Sequence, residues 1–186
     1  MKVAFVIFEG FTALDFIGVY DAVTRLKTMD FMPELEWDIC SFTEQVNDSL
    51  GLRFTPTKVK ESLNTYDLVI VPGGFSTRTL VNDLEFIKWL QTSKACELKT
   101  SVCTGSLLLA SAGLLEGKSA TSHPSAYEYL RKFCSVVDKR IVDEGDIITA
   151  RGVSSAIDLG LYLCEILAGH KAKETIRVQM DYQTPS

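Results

Sequence analysis

The chain has 186 residues, of which 46% are apolar and 23% are charged, and its formal net charge at pH 7 is −5. A chain of this length and composition is typical of a globular protein with one sizeable core. The negative charge without a Lys/Arg cluster excludes a nucleic-acid-binding surface, and no apolar run is long enough to cross a bilayer. We therefore predict one domain over residues 1–186 that contacts neither nucleic acid nor a membrane.

The five cysteines have no paired spacing, and the two histidines fall in no zinc-binding pattern. An odd number of cysteines without an export signal predicts reduced thiols and a cytoplasmic protein. The apolar run Met1–Phe8 lacks a small-residue cleavage site, so it is interpreted as a buried strand rather than a signal peptide. We expect neither a metal nor a cofactor.

Segments with strand and helix patterns alternate along the chain. In chain order the predicted elements are strand Lys2–Phe8, helix Leu14–Leu26, strand Leu35–Phe42, a short strand pair within Asn47–Val59, strand Tyr66–Val71, helix Asp83–Cys96, strand Leu98–Val102, helix Leu107–Ala112, helix Pro124–Phe133, strands Val136–Asp138, Ile141–Asp143 and Ile147–Ala150, helix Ser154–Ala168 and helix Lys171–Met180. This alternation predicts an α/β fold, a three-layer sandwich whose mostly parallel sheet has helices on both faces.

Three of the predicted strand ends carry unusual residues. Asp15 follows the first strand, Gly73 and Gly74 follow Tyr66–Val71, and Cys103 follows the strand that ends at Val102. In parallel sheets, ligands bind beyond the carboxyl ends of the strands. We therefore expect these residues to converge on one crevice that takes a small-molecule substrate.

Cys103 lies between a predicted strand and a predicted helix, with Ser101 two residues before it and Gly105 two residues after it. This is the pattern of a nucleophile elbow, a sharp turn that exposes the nucleophile at the sheet edge, with Cys in place of the usual Ser. The N-terminus of the following helix is expected to lower the thiol pKa and to favour the thiolate. The alternative is a buried, inert thiol. That alternative is our interpretation of the other cysteines, Cys40, Cys96, Cys134 and Cys164.

The glycine pair after the buried strand has two interpretations. The N–H groups of Gly73 and Gly74 could form an oxyanion-type hole that faces Cys103, or the glycines could form a tight turn without a role in catalysis. Thr104 follows the nucleophile, so its N–H and hydroxyl are expected to face the site.

Asp15 and His123 also have two interpretations each. Asp15 is either a partly desolvated carboxylate that transfers protons near the thiol, or a residue that caps the start of the helix, a role that Thr12 could take instead. His123 is either a base for Cys103 or a turn residue.

Together these motifs resemble the ThiJ/PfpI superfamily, whose domain is flavodoxin-like and similar to class I glutamine amidotransferases. The resemblance covers almost the whole chain and lies in Val3–Phe8, Leu14–Gly18, Pro72–Gly74, Val102–Gly105, Ala120–His123 and Gly152–Asp158. Asp15 at the helix start and Thr104 after the nucleophile are similar to the isonitrile hydratase branch. The protease and deglycase branches usually carry Glu in the first loop and His or Ala after the nucleophile. The His123-Pro124 step departs from the His-Trp step expected there.

The resemblance implies a cofactor-independent lyase that adds water to an isonitrile and releases an N-substituted formamide. It implies a catalytic set of Asp15, Cys103 and Thr104. It implies contacts with the substrate or its developing charge from Gly73, Gly74, Phe75 and His123.

The resemblance also implies a homodimer. Phe11 and Phe16 are expected to be exposed near the site and to pack at its interface. The tail at residues 179–185 is similar to the hydratase tail, although it is shorter.

Other functions remain open on the same residues. Cys103 with a carboxylate or His123 would also suit glyoxalase-like or deglycase-like chemistry on reactive carbonyls. An exposed thiol beside a carboxylate would suit an oxidation sensor or a ligand-binding module. The domain also forms the sensor half of AraC-type regulators, but a chain that ends at Ser186 is expected to lack their helix-turn-helix domain.

Overall fold

The computed structural model describes residues 1–183, so the last residues of the tail predicted at 179–185 lie outside the described part. The strands are β1 (Lys2–Ile7), β2 (Glu36–Ser41), β3 (Val46–Asn47), β4 (Arg53–Phe54), β5 (Lys58–Val59), β6 (Leu68–Val71), β7 (Leu98–Val102), β8 (Ser119–Ala120), β9 (Ser135–Val136), β10 (Ile141–Asp143) and β11 (Ile147–Ala150). The α-helices are α1 (Ala13–Thr28), α2 (Thr77–Leu80), α3 (Leu84–Gln91), α4 (Gly105–Ser111), α5 (Tyr127–Leu130), α6 (Ser155–Ala168) and α7 (His170–Gln179). Short 3-10 helices cover Leu63–Thr65, Thr92–Ala95 and Pro124–Ala126.

Within residues 1–183 the main sheet has seven strands in the order β10-β11-β7-β6-β1-β2-β5. All neighbouring pairs are parallel except β10 and β11, which are antiparallel. The central strands are almost entirely buried, which explains why β6 and β1 are continuous apolar runs rather than alternating ones. The predicted α/β sandwich with a mostly parallel sheet is confirmed.

Helices cover the sheet in two groups. Helix α1 packs against α6 and α7, while α4 packs against α2, α3 and α5. Helices α1 and α6 approach each other closely, since a Cβ placed on Gly18 would lie 2.7 Å from the Ala156 Cβ. Small residues at both positions are therefore what allows these two backbones to meet. Within residues 1–183, the helices are too short or too polar to cross a bilayer.

The structure corrects several predicted boundaries. The helix predicted over Asp83–Cys96 ends at Gln91 and continues as a 3-10 helix, because the Thr92 and Ser93 hydroxyls bond to backbone carbonyls three residues earlier. The helix predicted over Pro124–Phe133 is divided into a 3-10 turn and α5.

Three short elements differ more strongly from the prediction. The strand predicted at Val136–Asp138 is β9, which pairs with β8 outside the main sheet, and neither β8 nor α2 was predicted. Elements of two to four residues carry too few side chains for a period to be recognised, and their contacts with distant segments define them.

The topology locates the candidate site. The chain runs from β1 outward through β2 to β5 and then returns to β6 on the other side of β1. Ligands of open parallel sheets bind at such a reversal, beyond the carboxyl ends of the strands. Asp15 follows β1, Gly73 follows β6 and Cys103 follows β7, so these three residues lie at the same edge of the sheet, where Asp15 bonds to the Gly73 N–H.

Candidate active site

Cys103 has a strained backbone at the end of β7. Its φ is +56°, which is rare for a residue that is not glycine, and α4 begins two residues later at Gly105. A Cβ on Gly105 would lie 2.3 Å from the Val71 carbonyl oxygen, so only glycine fits this position. The predicted nucleophile elbow is therefore confirmed.

Hydrogen bonds hold the strained residue in place. The Cys103 N–H donates to the carbonyl of Ala150 at 3.0 Å. The Cys103 carbonyl accepts from the hydroxyls of Ser122 at 3.0 Å and Ser106 at 3.2 Å. These contacts offset the cost of the turn and fix the position of the sulfur. Sequence reasoning missed both serines, because no motif marks a hydroxyl that supports a turn from a distant loop.

Asp15 is fully buried in the first turn of α1. Its Oδ2 accepts from the Gly73 N–H at 3.0 Å, while its buried Oδ1 has no partner among residues 1–183. Burial raises the pKa of Asp15 to about 7, although the Gly73 hydrogen bond opposes this shift. The carboxyl group does not cap the helix, and the Thr12 side chain also makes no capping hydrogen bond. Asp15 is thus a carboxyl group that can gain or lose a proton near neutral pH.

The Cys103 thiol is 6% exposed. Burial raises its pKa to about 12; the Asp15 carboxylate shifts it in the same direction, and the Thr104 N–H opposes both. The predicted resting thiolate is therefore wrong, because burial outweighs the effect of a helix N-terminus on this sulfur. The resting site holds a neutral thiol beside a carboxyl group that is partly ionised at pH 7.

The expected oxyanion donors are largely occupied. The Gly73 N–H is bound to Asp15, and the Gly74 N–H donates to the Thr104 hydroxyl at 3.0 Å. That hydroxyl in turn donates to the Gly74 carbonyl at 3.0 Å. These internal hydrogen bonds favour the tight-turn interpretation of the glycine pair, while Thr104 lines the pocket as expected. Among residues 1–183 the Phe75 N–H has no acceptor, and Phe75 is one of the residues that line the pocket.

A pocket of about 110 Å³ opens at the thiol. Its lining residues are Thr12, Gly74, Phe75, Arg78, Cys103, Thr104, His123, Ser125 and Val153. Asp15 is absent from this lining. Its carboxyl group can therefore act on a molecule in the pocket only by way of the Cys103 thiol, with which it interacts. A volume of this size suits a small substrate, since sites for drug-sized ligands are about 300 Å³ or larger.

His123 lines the pocket but bonds to Ser125 and not to the Cys103 thiol. Its Nδ1 lies 2.8 Å from the Ser125 hydroxyl, and in the described part of the chain it makes no hydrogen bond to Cys103. It also caps the 3-10 turn that begins at Pro124, which favours the turn interpretation over that of a base.

Other residues of the site were not identified from the sequence. Arg78 and Ser125 meet across the pocket mouth although they are 47 residues apart, a contact that no local pattern predicts. Gly152 packs against Cys103, and a Cβ there would lie 2.5 Å from the sulfur. Over residues 1–183 no three His, Cys, Asp or Glu side chains are grouped so that they could hold a metal ion.

The surroundings of the predicted dimer residues also differ from expectation. Phe11 and Phe16 are buried, and their rings stack edge to face on each other and on Phe54. The expectation that they are exposed is wrong, because the hairpin β3–β4 covers them. Leu14 and Ile17, on the outer face of α1, are the exposed apolar residues of this stretch.

Comparison with known proteins extends this description. A model of the DJ-1/PfpI family matches residues 1–166. The isonitrile hydratase of Pseudomonas putida is 32% identical over 185 residues, which cover 98% of this chain and 78% of that protein. Protein DJ-1alpha of Drosophila melanogaster is 35% identical over 145 residues, 74% of this chain and 66% of that protein. A ThiJ/PfpI family protein from Pseudomonas syringae superposes with a TM-score of 0.88 at 26% identity, over 100% of this chain and 76% of that one.

Proposed function

Because the chain belongs to the DJ-1/PfpI family, we propose that it uses the pocket at Cys103 for catalysis, and that it hydrates isonitriles to N-substituted formamides. The observation that carries this proposal is the pairing of a strained, pocket-lining thiol with a buried carboxyl group whose pKa is about 7. Similarity over 98% of the chain to an isonitrile hydratase supports it.

The first step joins the thiol to the terminal isonitrile carbon. The Asp15 carboxylate takes the thiol proton as the Cys103 sulfur attacks, and a C–S bond forms. A buried thiol with a raised pKa needs such a base, because little thiolate exists at neutral pH. Asp15 then delivers the proton to the same carbon, which gives a thioimidate. The free Phe75 N–H stabilises the negative charge that develops on the substrate during attack.

The second step releases the product. Water adds to the thioimidate carbon while Asp15 passes a proton from water to the nitrogen. The C–S bond then breaks, the hydroxyl proton returns to the Cys103 sulfur, and the formamide leaves. The net reaction consumes one isonitrile and one water and requires no cofactor. Thr104 keeps the Gly74 loop against the elbow through its pair of hydrogen bonds.

The test is formamide formation from ethyl isocyanide and cyclohexyl isocyanide by wild type and Cys103→Ala, measured by chromatography with authentic standards. We expect turnover by wild type, with kcat/KM rising as pH increases through about 7, because Asp15 must be ionised to accept the thiol proton. Asp15→Asn should abolish this rise. Absence of formamide at high wild-type concentration with both compounds would contradict the proposal.

A second candidate function follows from the DJ-1 relatives, of which Drosophila DJ-1alpha is 35% identical. In that case the Cys103 thiol acts on reactive carbonyls or is oxidised to a sulfinic acid. Mild peroxide followed by mass spectrometry of the Cys103 peptide, together with assays on small dicarbonyls, separates these outcomes. Oxidation or carbonyl turnover without formamide formation would favour this candidate over hydration.

We also propose that the protein acts as a homodimer in the cytoplasm. The family resemblance and the free state of Cys40, Cys96, Cys103, Cys134 and Cys164 support this proposal. Leu14 and Ile17, exposed on α1, are the interface residues that we propose in place of Phe11 and Phe16. Analytical ultracentrifugation of wild type and of Leu14→Glu tests this: we expect a dimer that the charged variant dissociates.

A further inference from the structure

Arg78 is an exposed arginine at the mouth of the pocket. One guanidinium nitrogen donates to the Ser125 hydroxyl at 3.2 Å, and the guanidinium lies 5.4 Å from the centre of the Phe75 ring. Among residues 1–183 no carboxylate forms an ion pair with it. Most other arginines in this part of the chain have such a partner, as Arg140 does in Asp158 and Arg151 in Asp138. The side chain is thus positioned by neutral contacts, and its charge is left unneutralised at the pocket.

The pocket around Arg78 favours an anion. None of the lining residues is acidic, and the nearest catalytic carboxyl group, Asp15, is buried behind the sulfur. The Ser125 hydroxyl accepts from the guanidinium, and the His123 imidazole bonds to the same hydroxyl, so both add hydrogen-bonding groups to this part of the pocket. A guanidinium presents several N–H donors in one plane, a geometry that matches the two oxygens of a carboxylate.

We propose that Arg78, with Ser125 beside it, binds a carboxylate on the substrate. This inference rests on the proposed function and names its substrate class, short isonitriles that carry a carboxylate. The pocket of about 110 Å³ contains both Cys103 and Arg78 in its lining, so a short linker joins the reacting carbon to the anionic group. Arg78 is then a specificity-determining residue that holds the isonitrile carbon in front of the sulfur.

The first experiment does not depend on hydration. Iodoacetate and iodoacetamide have nearly the same shape, and in both cases the sulfur displaces iodide and the thiol proton leaves, but only iodoacetate carries a carboxylate. The rates of Cys103 alkylation are measured by peptide mass spectrometry, with glutathione as the reference thiol. We expect the iodoacetate-to-iodoacetamide ratio at Cys103 to exceed that of glutathione by roughly tenfold, as for one charged hydrogen bond.

Three variants complete this experiment. Arg78→Gln should return the ratio to that of glutathione, and Arg78→Lys should retain part of the preference. The matched control is Arg53→Gln, which removes the same charge from an exposed residue of β4 outside the pocket, and it should leave the ratio unchanged. A wild-type ratio equal to that of glutathione, or a preference that persists in Arg78→Gln, would overturn the inference.

The second experiment compares isocyanoacetate with its neutral methyl ester as substrates. We expect wild type to favour isocyanoacetate, and Arg78→Gln to lower kcat/KM for it by roughly tenfold to a hundredfold while kcat/KM for the ester changes much less. An equal loss with both compounds would overturn the inference, because it would indicate general damage to the site. If wild type hydrates neither compound, the proposed hydration fails and the alkylation ratio alone decides whether the carboxylate site exists.

Discussion

Cys103 and Cys164 have similar burial and similar thiol pKa values, but the backbone and the groups around them differ. Both are buried, and burial raises the pKa of each thiol to about 12. Cys164 has regular helical backbone in α6, and its thiol donates to the Ala22 carbonyl at 3.4 Å. Cys103 has a φ of +56°, lines a pocket and is influenced by the Asp15 carboxyl group. Cys103 is therefore distinguished from Cys164 by a neighbouring carboxyl group, a strained turn and access to a pocket, and not by the pKa of its thiol.

The α1–α6 interface around Cys164 and the elbow at Cys103 each contain a glycine in close contact with another residue, but the two contacts have different consequences. In the α1–α6 interface, a Cβ on Gly160 would lie 2.7 Å from the Ala22 Cβ, so the glycine allows the helices to approach. At the elbow, a Cβ on Gly152 would lie 2.5 Å from the Cys103 sulfur, so the glycine leaves space for the sulfur itself. The first contact supports stability, and the second supports the geometry of the site.

The largest expected effect is the loss of activity when Cys103, but not Cys164, is replaced by alanine. Cys103→Ala should lower kcat/KM for formamide formation by at least about 10³-fold, because the attacking atom is removed. Cys164→Ala should leave kcat/KM unchanged and lower the free energy of unfolding by about 1–2 kcal/mol, since it creates a small cavity between α1 and α6. Enzyme kinetics measure kcat/KM of the two variants, and urea denaturation measures their free energies of unfolding. Loss of activity in Cys164→Ala without loss of stability would contradict the comparison.

Removal of the Asp15 carboxylate should change the reactivity of Cys103 and leave that of Cys164 unchanged. Asp15→Asn keeps the side-chain shape and an oxygen for the Gly73 N–H but cannot accept the thiol proton. We expect kcat/KM to fall by about 10²–10⁴-fold. The rate of alkylation of Cys103 by iodoacetamide should also lose its increase through pH 7, while that of Cys164 in unfolded protein stays unchanged. An unaltered pH profile in the variant would exclude Asp15 as the base.

The same variant should become more stable than wild type as pH rises. The pKa of Asp15 increases from 3.8 in its reference state to about 7 in the folded protein, so protonated Asp15 stabilises the fold at low pH, and this contribution is lost between about pH 4 and 7. With about 1.36 kcal/mol per pKa unit, the stability of Asp15→Asn relative to wild type should increase by about 2–4 kcal/mol over this range. Urea denaturation at pH 4.5 and pH 8 measures the difference. An equal difference at both pH values would show that Asp15 ionises normally in the folded protein.

The strands and the turn that position this site were largely predictable from local sequence patterns. The predicted boundaries of β7, β10 and β11 are those of the structure, because the elbow at Cys103 ends β7 and the Glu144-Gly145 turn separates β10 from β11. The elbow at Cys103 was predictable because the small residues around a nucleophile follow from the tight turn itself.

The chemistry of the site was less predictable. The raised pKa of Cys103 depends on burial by segments far along the chain, and the occupied amides of Gly73 and Gly74 depend on the side chains of Asp15 and Thr104. These are contacts between residues about 30 to 60 positions apart, and no local period or motif encodes them. Residue types at strand ends therefore indicate where a site lies, whereas protonation states and free donors require the packed structure.

A methyl group at each of the two close glycines should have a smaller effect, and a different one in each region. Gly152→Ala should displace the Cys103 sulfur and lower kcat/KM by about 10–100-fold, since small misplacements of a reacting group slow catalysis strongly. Gly160→Ala should separate α1 from α6 and lower the free energy of unfolding by about 1–3 kcal/mol, with kcat/KM retained. If Gly160→Ala impaired catalysis as much as Gly152→Ala, the helix interface and the elbow would be coupled rather than independent.

The smallest effect tests whether the hydroxyls around the elbow position the sulfur or only stabilise the fold. Ser122 donates to the Cys103 carbonyl at 3.0 Å, and Ser93 donates to the Leu90 carbonyl at 2.7 Å; both serines are fully buried. Alanine at either position should lower the free energy of unfolding by about 1 kcal/mol. Because Ser106 still holds the Cys103 carbonyl, Ser122→Ala should lower kcat/KM by only about two- to fivefold, whereas Ser93→Ala should not change it. If the two variants had the same kcat/KM at equal stability, the strained turn would not depend on the Ser122 hydroxyl for its catalytic geometry.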